Sequence, residues 1–215
     1  MKNLASPRWI AALILILSAA RAGAAGPSSG AAQPRAQASA DGFSWPVPAG
    51  WRKETIPFPL EFAPKIPHKG VEELRFGPGF SHPGARDFWS YDFVWRLDDD
   101  APIDEKTLAD ELAGYFRGLN MSVAGKKYGF DESRFKASVS PVPAPTGATT
   151  AEFRARVESY DAFATGKPIV LNVEVRREAC PEGRRHFAAF SISPRPEDDP
   201  VWKSLREEAS AFRCR

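Results

Sequence analysis

This 215-residue chain contains only two cysteines, three histidines and two methionines. Histidine poverty removes the commonest metal sites. His68, His82 and His186 stand far apart, and none has a second His or Cys at a ligand spacing such as HxxxH. Neither GxGxxG nor GxxxxGK[ST] occurs, so no loop is cut to cradle a nucleotide phosphate and no cofactor is expected. An excess of one charge is also missing. Setting aside Lys2, Arg8 and Arg21 of the first segment, the 29 basic and 27 acidic residues leave a net charge of about −1, with signs that alternate along the chain. That excludes the basic footprint of a nucleic-acid binder. A second long apolar run is absent, so no stable membrane insertion is expected.

The apolar run that exists lies at the start. "MKNLASPRWIAALILILSAARAGAA" places Lys2 and Arg8 ahead of an apolar stretch from Trp9 to about Ala20, and small residues Ala22 and Ala24 suit a cleavage site. The stretch falls short of the roughly 20 residues that span a bilayer. Residues 1–25 therefore read as a secretory signal peptide. No cysteine lies near the cleavage region, which argues against a lipoprotein anchor. Residues 26–42 carry no large apolar side chain and read as a flexible leader. Residues 43–215 are then one domain, secreted or periplasmic. In that oxidising setting Cys180 and Cys214 are expected to form a disulfide, whose loop of about 35 residues is worth about 3–4 kcal/mol by chain entropy.

Two helices are legible. Leu108, Leu112, Tyr115, Phe116 and Leu119 recur at helical spacing behind a capping Asp104, with Ile103 and Leu108 placed as a hydrophobic staple. Asp199 and Pro200 open a second helix, whose apolar face is Val201, Trp202, Leu205, Ala209 and Phe212. Strands alternate around them. In "FWSYDFVWRLDDD" one face carries Trp89, Tyr91, Phe93, Trp95 and Leu97, and the other Phe88, Ser90, Asp92, Val94 and Arg96. "AEFRARVESYDAF" and "PIVLNVEVRR" alternate likewise and predict a hairpin turning at Ala164-Thr165-Gly166, with Gly166 left-handed. That register sets Val157 opposite Val173 and Arg156 opposite Glu174. Further strands are expected at 71–76, 134–140 and 186–193 and within 43–56, and the proline-rich 57–69 reads as an extended loop. The fold class is α+β: an antiparallel β-sheet of about six or seven strands with two amphipathic helices packed on it, both on the Trp89–Trp95 face.

At "FSWPVPAGW" (43–51), Phe43, Pro48, Gly50 and Trp51 resemble the opening strand-turn of PsbP-like proteins. The resemblance covers nine residues and, beyond them, the order of elements. It implies an α+β sandwich and an accessory or binding domain, usually non-enzymatic, and it carries over no functional residue.

Candidate sites follow from what remains. Asp98-Asp99-Asp100 lack the Gly and distal Glu of a calcium loop and read as the end of a strand. Ser81, His82 and Asp87 share a glycine-rich loop (77–87), but sequence neighbours rarely meet with triad geometry, and that loop lacks the GxSxG elbow. The charged sheet face from Glu152 to Arg176 reads as solvated. The first expectation is therefore an exported, non-catalytic binding or accessory domain for an unidentified protein or cell-envelope partner. Its binding residues are expected among Trp45, Trp51, His82 and Asp87 and the loops 57–69 and 77–87. Two alternatives stay open: an exported hydrolase using Ser81, His82 and Asp92 or Asp87, and a carbohydrate-binding module displaying Trp45, Trp51 or Trp89.

Overall fold

The alternating segments assemble, in the computed structural model of the chain, into a seven-stranded antiparallel sheet. The structure describes residues 43–143, 150–180 and 185–214, and the expected signal peptide and leader lie outside them. In chain order the elements are β1 (Phe43–Ser44), β2 (Arg52–Pro57), β3 (Gly70–Phe76), β4 (Tyr91–Leu97), α1 (Glu105–Tyr128), β5 (Lys136–Pro141), β6 (Thr150–Tyr160), β7 (Pro168–Ala179), β8 (His186–Ser193), α2 (Val201–Ser210) and β9 (Arg213–Cys214). The sheet runs β2-β3-β4-β8-β7-β6-β5. Two meanders, β2 to β4 and β5 to β8, meet where β4 pairs with β8, and α1 carries the chain from one meander to the other. A small β1–β9 ribbon pairs Phe43 with Cys214, and the Cys180–Cys214 disulfide, Cα atoms 5.4 Å apart, ties that ribbon to the end of β7.

Helix α1 begins as its sequence requires. Asp104 accepts the Thr107 N–H while Thr107 Oγ1 accepts the Asp104 N–H, a reciprocal cap. It runs on to Tyr128 and stops at Gly129, whose φ of 60° suits glycine. Leu108, Leu112, Tyr115 and Phe116 pack on the aromatic face of β4, with Phe93 stacked between Tyr115 and Phe190 at 5.2 and 4.3 Å. The proline-rich loop 57–69 helps to cover this face, burying Leu60, Ala63 and Ile66 in the same core.

Three expectations are corrected. The two helices lie on opposite faces, not both on the aromatic one. Arg206 and Ala209 of α2 bond Glu174 and Arg176, which share the face of Val94, Ala189 and Ser191. Trp89 is not part of β4. It sits in the preceding turn with φ 58°, a left-handed conformation that is rare for a bulky residue. Its indole nevertheless enters the α1-side core. The β6–β7 register is displaced by two residues: Val157 faces Leu171 and Arg154 faces Glu174. The cause is Asp161, whose carboxylate gathers N–H groups of Phe163, Ala164 and Thr165 into a longer loop, while Gly166 is left-handed as expected. A two-residue displacement preserves the faces, so the core pattern survives it.

Candidate functional site

The residues singled out in the sequence separate into two groups. Trp45 is buried, with its indole N–H on the Glu208 carbonyl at 3.0 Å and the Arg75 guanidinium 4.3 Å from its ring centre. It fastens the start of the domain to α2. Trp89 is buried as well, and its indole N–H donates to Asp161 at 2.8 Å. Neither displays a ring to a ligand. His82 lies exposed in a turn between Gly79 and Ala85, and Ser81 is exposed beside it. Asp92 is buried in the sheet, accepting the Ser191 hydroxyl at 2.6 Å, so the hydrolase grouping with Asp92 does not assemble.

Trp51 and Asp87, by contrast, come together. They line a cleft of about 310 Å³ between the loop 77–90 and the first turns of α2, whose Val201, Ser204 and Leu205 form the opposite wall. The glycines of "GPG" make this loop possible. The Gly79 N–H donates to Asp87 Oδ2 at 2.8 Å, and a Cβ at Gly79 would fall 1.8 Å from Asp87 Oδ1. The loop is docked firmly. Arg195 donates to the carbonyls of Arg86 (3.0 Å) and Ala85 (3.1 Å), and Arg86 pairs with Asp199 at 3.3 Å. Asp199 in turn accepts the Val201 N–H, capping α2. Ser90 bonds Ser193 across to β8 at 2.8 Å. Between these anchors the chain holds Trp89 in its strained conformation, a cost of about 1–3 kcal/mol that the surrounding bonds offset. Among the described residues no hydrogen bond engages Trp51 Nε1, Asp87 Oδ1 or Ser204 Oγ.

Two other clefts are of similar size. One of about 360 Å³ lies between α2 and the charged half of the sheet. Its arginines are already committed: Arg206 grips Glu174 through two bonds of 2.9 and 2.7 Å, and Arg154 joins Glu174 and Glu197. The other, about 380 Å³, runs between the proline-rich loop and α1.

Beneath that loop lies a strip of buried ionisable groups that alternation alone did not disclose. Glu72 faces the α1-side core, accepting the Trp95 indole N–H at 3.1 Å. Burial pushes its pKa up to about 8, against the pull of Trp95 and Tyr115. His68 stands between Glu111 at 3.2 Å and Asp99 at 3.5 Å. Burial disfavours its charge, but the two carboxylates outweigh that and raise its pKa. Asp99 also accepts the N–H groups of Lys69 and Ala101. These bonds lock loop 57–69 to the head of α1. On the other face, burial raises Asp92 well above the usual carboxylate range and lifts Glu208 to about 7. Among the described residues no group of three or more His, Cys, Asp or Glu is arranged to hold a metal, and no helix is long and apolar enough to cross a membrane.

No protein-family model matches the chain, so the PsbP-like resemblance of residues 43–51 gains no support from one, and no curated protein matches. Among solved structures, the chain is similar to LpqN, described as involved in cell envelope biogenesis of Mycobacterium tuberculosis, with 12% identity over 80% of this chain and 82% of that one. The TM-score is 0.30, a likeness too slight to bear on function.

Proposed function

We propose that this chain is an exported, non-catalytic recognition domain, and that its ligand site is the cleft between Trp51, Asp87 and α2. One observation carries the reading. Residues 36 positions apart in sequence, an aromatic ring and a carboxylate, converge with α2 on a concave surface where three polar atoms have no internal partner. Concave sites with apolar walls and a few convergent polar groups are where small ligands bind. The strained turn at Trp89, two residues from Asp87, fits the same reading, because stored backbone strain collects at binding loops. The alternating charges of the surface and the committed arginines of the neighbouring cleft speak against a polyanionic partner there. Export rests on the sequence of residues 1–25 and agrees with the Cys180–Cys214 bond, since disulfides persist in oxidising compartments.

Ligand-observed NMR with a fragment mixture tests the reading. Ser204 is exposed on α2, so Ser204→Phe fills the cleft at little cost in stability. Fragments that bind the unaltered chain are expected to lose contact with the Ser204→Phe variant. A fragment set that binds both proteins equally places the site elsewhere.

A further inference from the structure

Resting on that reading of the cleft, we infer that its occupant is an uncharged saccharide, held as a single ring. The charge pattern is the first argument. Asp87 contributes a carboxylate, and Arg86, fixed at the rim by Asp199, contributes a guanidinium. A cationic ligand gains Asp87 but meets Arg86, and an anionic ligand the reverse; the Asp199 paired with Arg86 offsets part of the guanidinium charge, so neither sign finds an unopposed counter-charge. A neutral polyol escapes that conflict, because a hydroxyl donates to a carboxylate and accepts from a guanidinium.

The walls give the second argument. Trp51 on one side and the exposed Pro200, beside the buried Val201 and Leu205, on the other are apolar, while the lining residues Asp87, Ser204 and Trp51 carry a carboxylate oxygen, a hydroxyl and an indole N–H with no internal hydrogen-bond partner. A sugar ring has the matching division, an apolar C–H face and an edge of hydroxyls. An aliphatic side chain from a protein partner would fill the apolar part and leave those polar atoms desolvated and unpaired, which opposes its binding. Size is the third. About 310 Å³ lies at the small end of the roughly 300–1,000 Å³ of ligand pockets, a size that suits one enclosed ring. Trp45 and Trp89 are buried, so no second ring platform extends the site along these tryptophans.

The experiment uses the full chain exported through its own N-terminal segment, with thermal unfolding as the check on folding. Saturation-transfer NMR is run with glucose, galactose and N-acetylglucosamine as neutral probes, glucosamine as the cation and glucuronate as the anion. Trp51→Ala and Ser204→Phe are compared with the unaltered chain, the second serving where the first fails to fold. The expected result is transfer to the ring C–H protons of at least one neutral sugar. Its affinity should drop about tenfold or more in both variants, as the loss of one aromatic wall implies. Glucosamine and glucuronate should bind several-fold more weakly than the neutral sugars. Stronger binding of either ion overturns the inference and assigns the cleft a charged ligand. Absence of sugar binding, with fragments still displaced by Ser204→Phe, overturns it while leaving the cleft as the ligand site. Absence of any binding sensitive to Ser204→Phe removes both.

Discussion

Glu72→Gln isolates the most unusual group in the core. Glu72 is fully buried on β3 opposite Trp95, and its second carboxyl oxygen has no hydrogen-bond partner among the described residues. Burial, with a smaller push from the negative charge of Glu54, raises its pKa to about 8 from an ordinary 4.5. Across that interval the folded chain keeps a proton that the unfolded chain has lost. Stability therefore falls as the pH rises, by about 1.4 kcal/mol per pH unit, and the fall stops once the folded group ionises near pH 8. The whole interval amounts to about 5 kcal/mol as an upper bound, comparable with the total stability of many domains. Glutamine accepts from the Trp95 N–H and does not titrate, so its variant lacks this slope. The assay is urea unfolding by tryptophan fluorescence at pH 5, 6, 7 and 8, disulfide intact, for both proteins. Taking the difference removes the titration of Asp92, Glu208, His68 and His186, which both share. The variant should gain on the parent by about 1.4 kcal/mol per unit between pH 5 and 8. A difference that stays constant over this range would refute the assignment of a neutral Glu72.

His68 gives a second pH signature of the same direction. Its raised pKa means that its contribution to stability is complete below about pH 6.5 and is lost as the pH climbs through the folded value, so His68→Gln should cost more at pH 6 than at pH 9. Equal cost at both would show that Glu111 and Asp99 do not hold a charged ring. Replacing both Cys180 and Cys214 by serine should lower stability by about 3–4 kcal/mol and speed amide exchange in the β1–β9 ribbon, and unchanged exchange there would separate the disulfide from the ribbon. Asp161 accepts five hydrogen bonds, from Trp89, Phe163, Ala164 and twice from Thr165. Asp161→Ala should cost about 3 kcal/mol or more by leaving the Trp89 indole unpaired, and Asp161→Asn, which keeps an acceptor, should cost less. Similar losses below about 1 kcal/mol in both variants would mean that the loop does not need the carboxylate.

Local chemistry was readable wherever it was self-contained. Asp104 caps α1, Gly166 takes a left-handed turn and β8 spans His186–Ser193, because each depends on residues close in sequence. What alternation hid were polar residues on buried faces. Glu72 in "VEELRF" and Glu111 in α1 carry a surface residue's chemistry, and only distant partners, Trp95 and His68, reveal their burial. The hairpin register failed for a related reason. Asp161 reads as an ordinary turn residue, whereas its hold on the loop includes the indole of Trp89, 72 positions away.

The misplaced second helix and the unseen cleft share one cause. In "FWSYDFVWRL" the face carrying Asp92, Val94 and Arg96 is mixed and the other wholly apolar, which by itself points both helices to the aromatic side. Its apolar complement comes from elsewhere: Phe187 and Ala189 of β8, Phe43, and Phe212 beyond α2 form a small second core around Val94. No single strand announces that core, because each contributes only one or two side chains to it. Once α2 packs there, its first turns stand beside Gly77 and Asp87 at the end of β3 and face Trp51 at the start of β2. With α2 on the aromatic face, Trp51 and Asp87 would line an open surface with no opposing wall. Trp51 thus forms one side of a cleft whose other side depends on the layer to which α2 belongs.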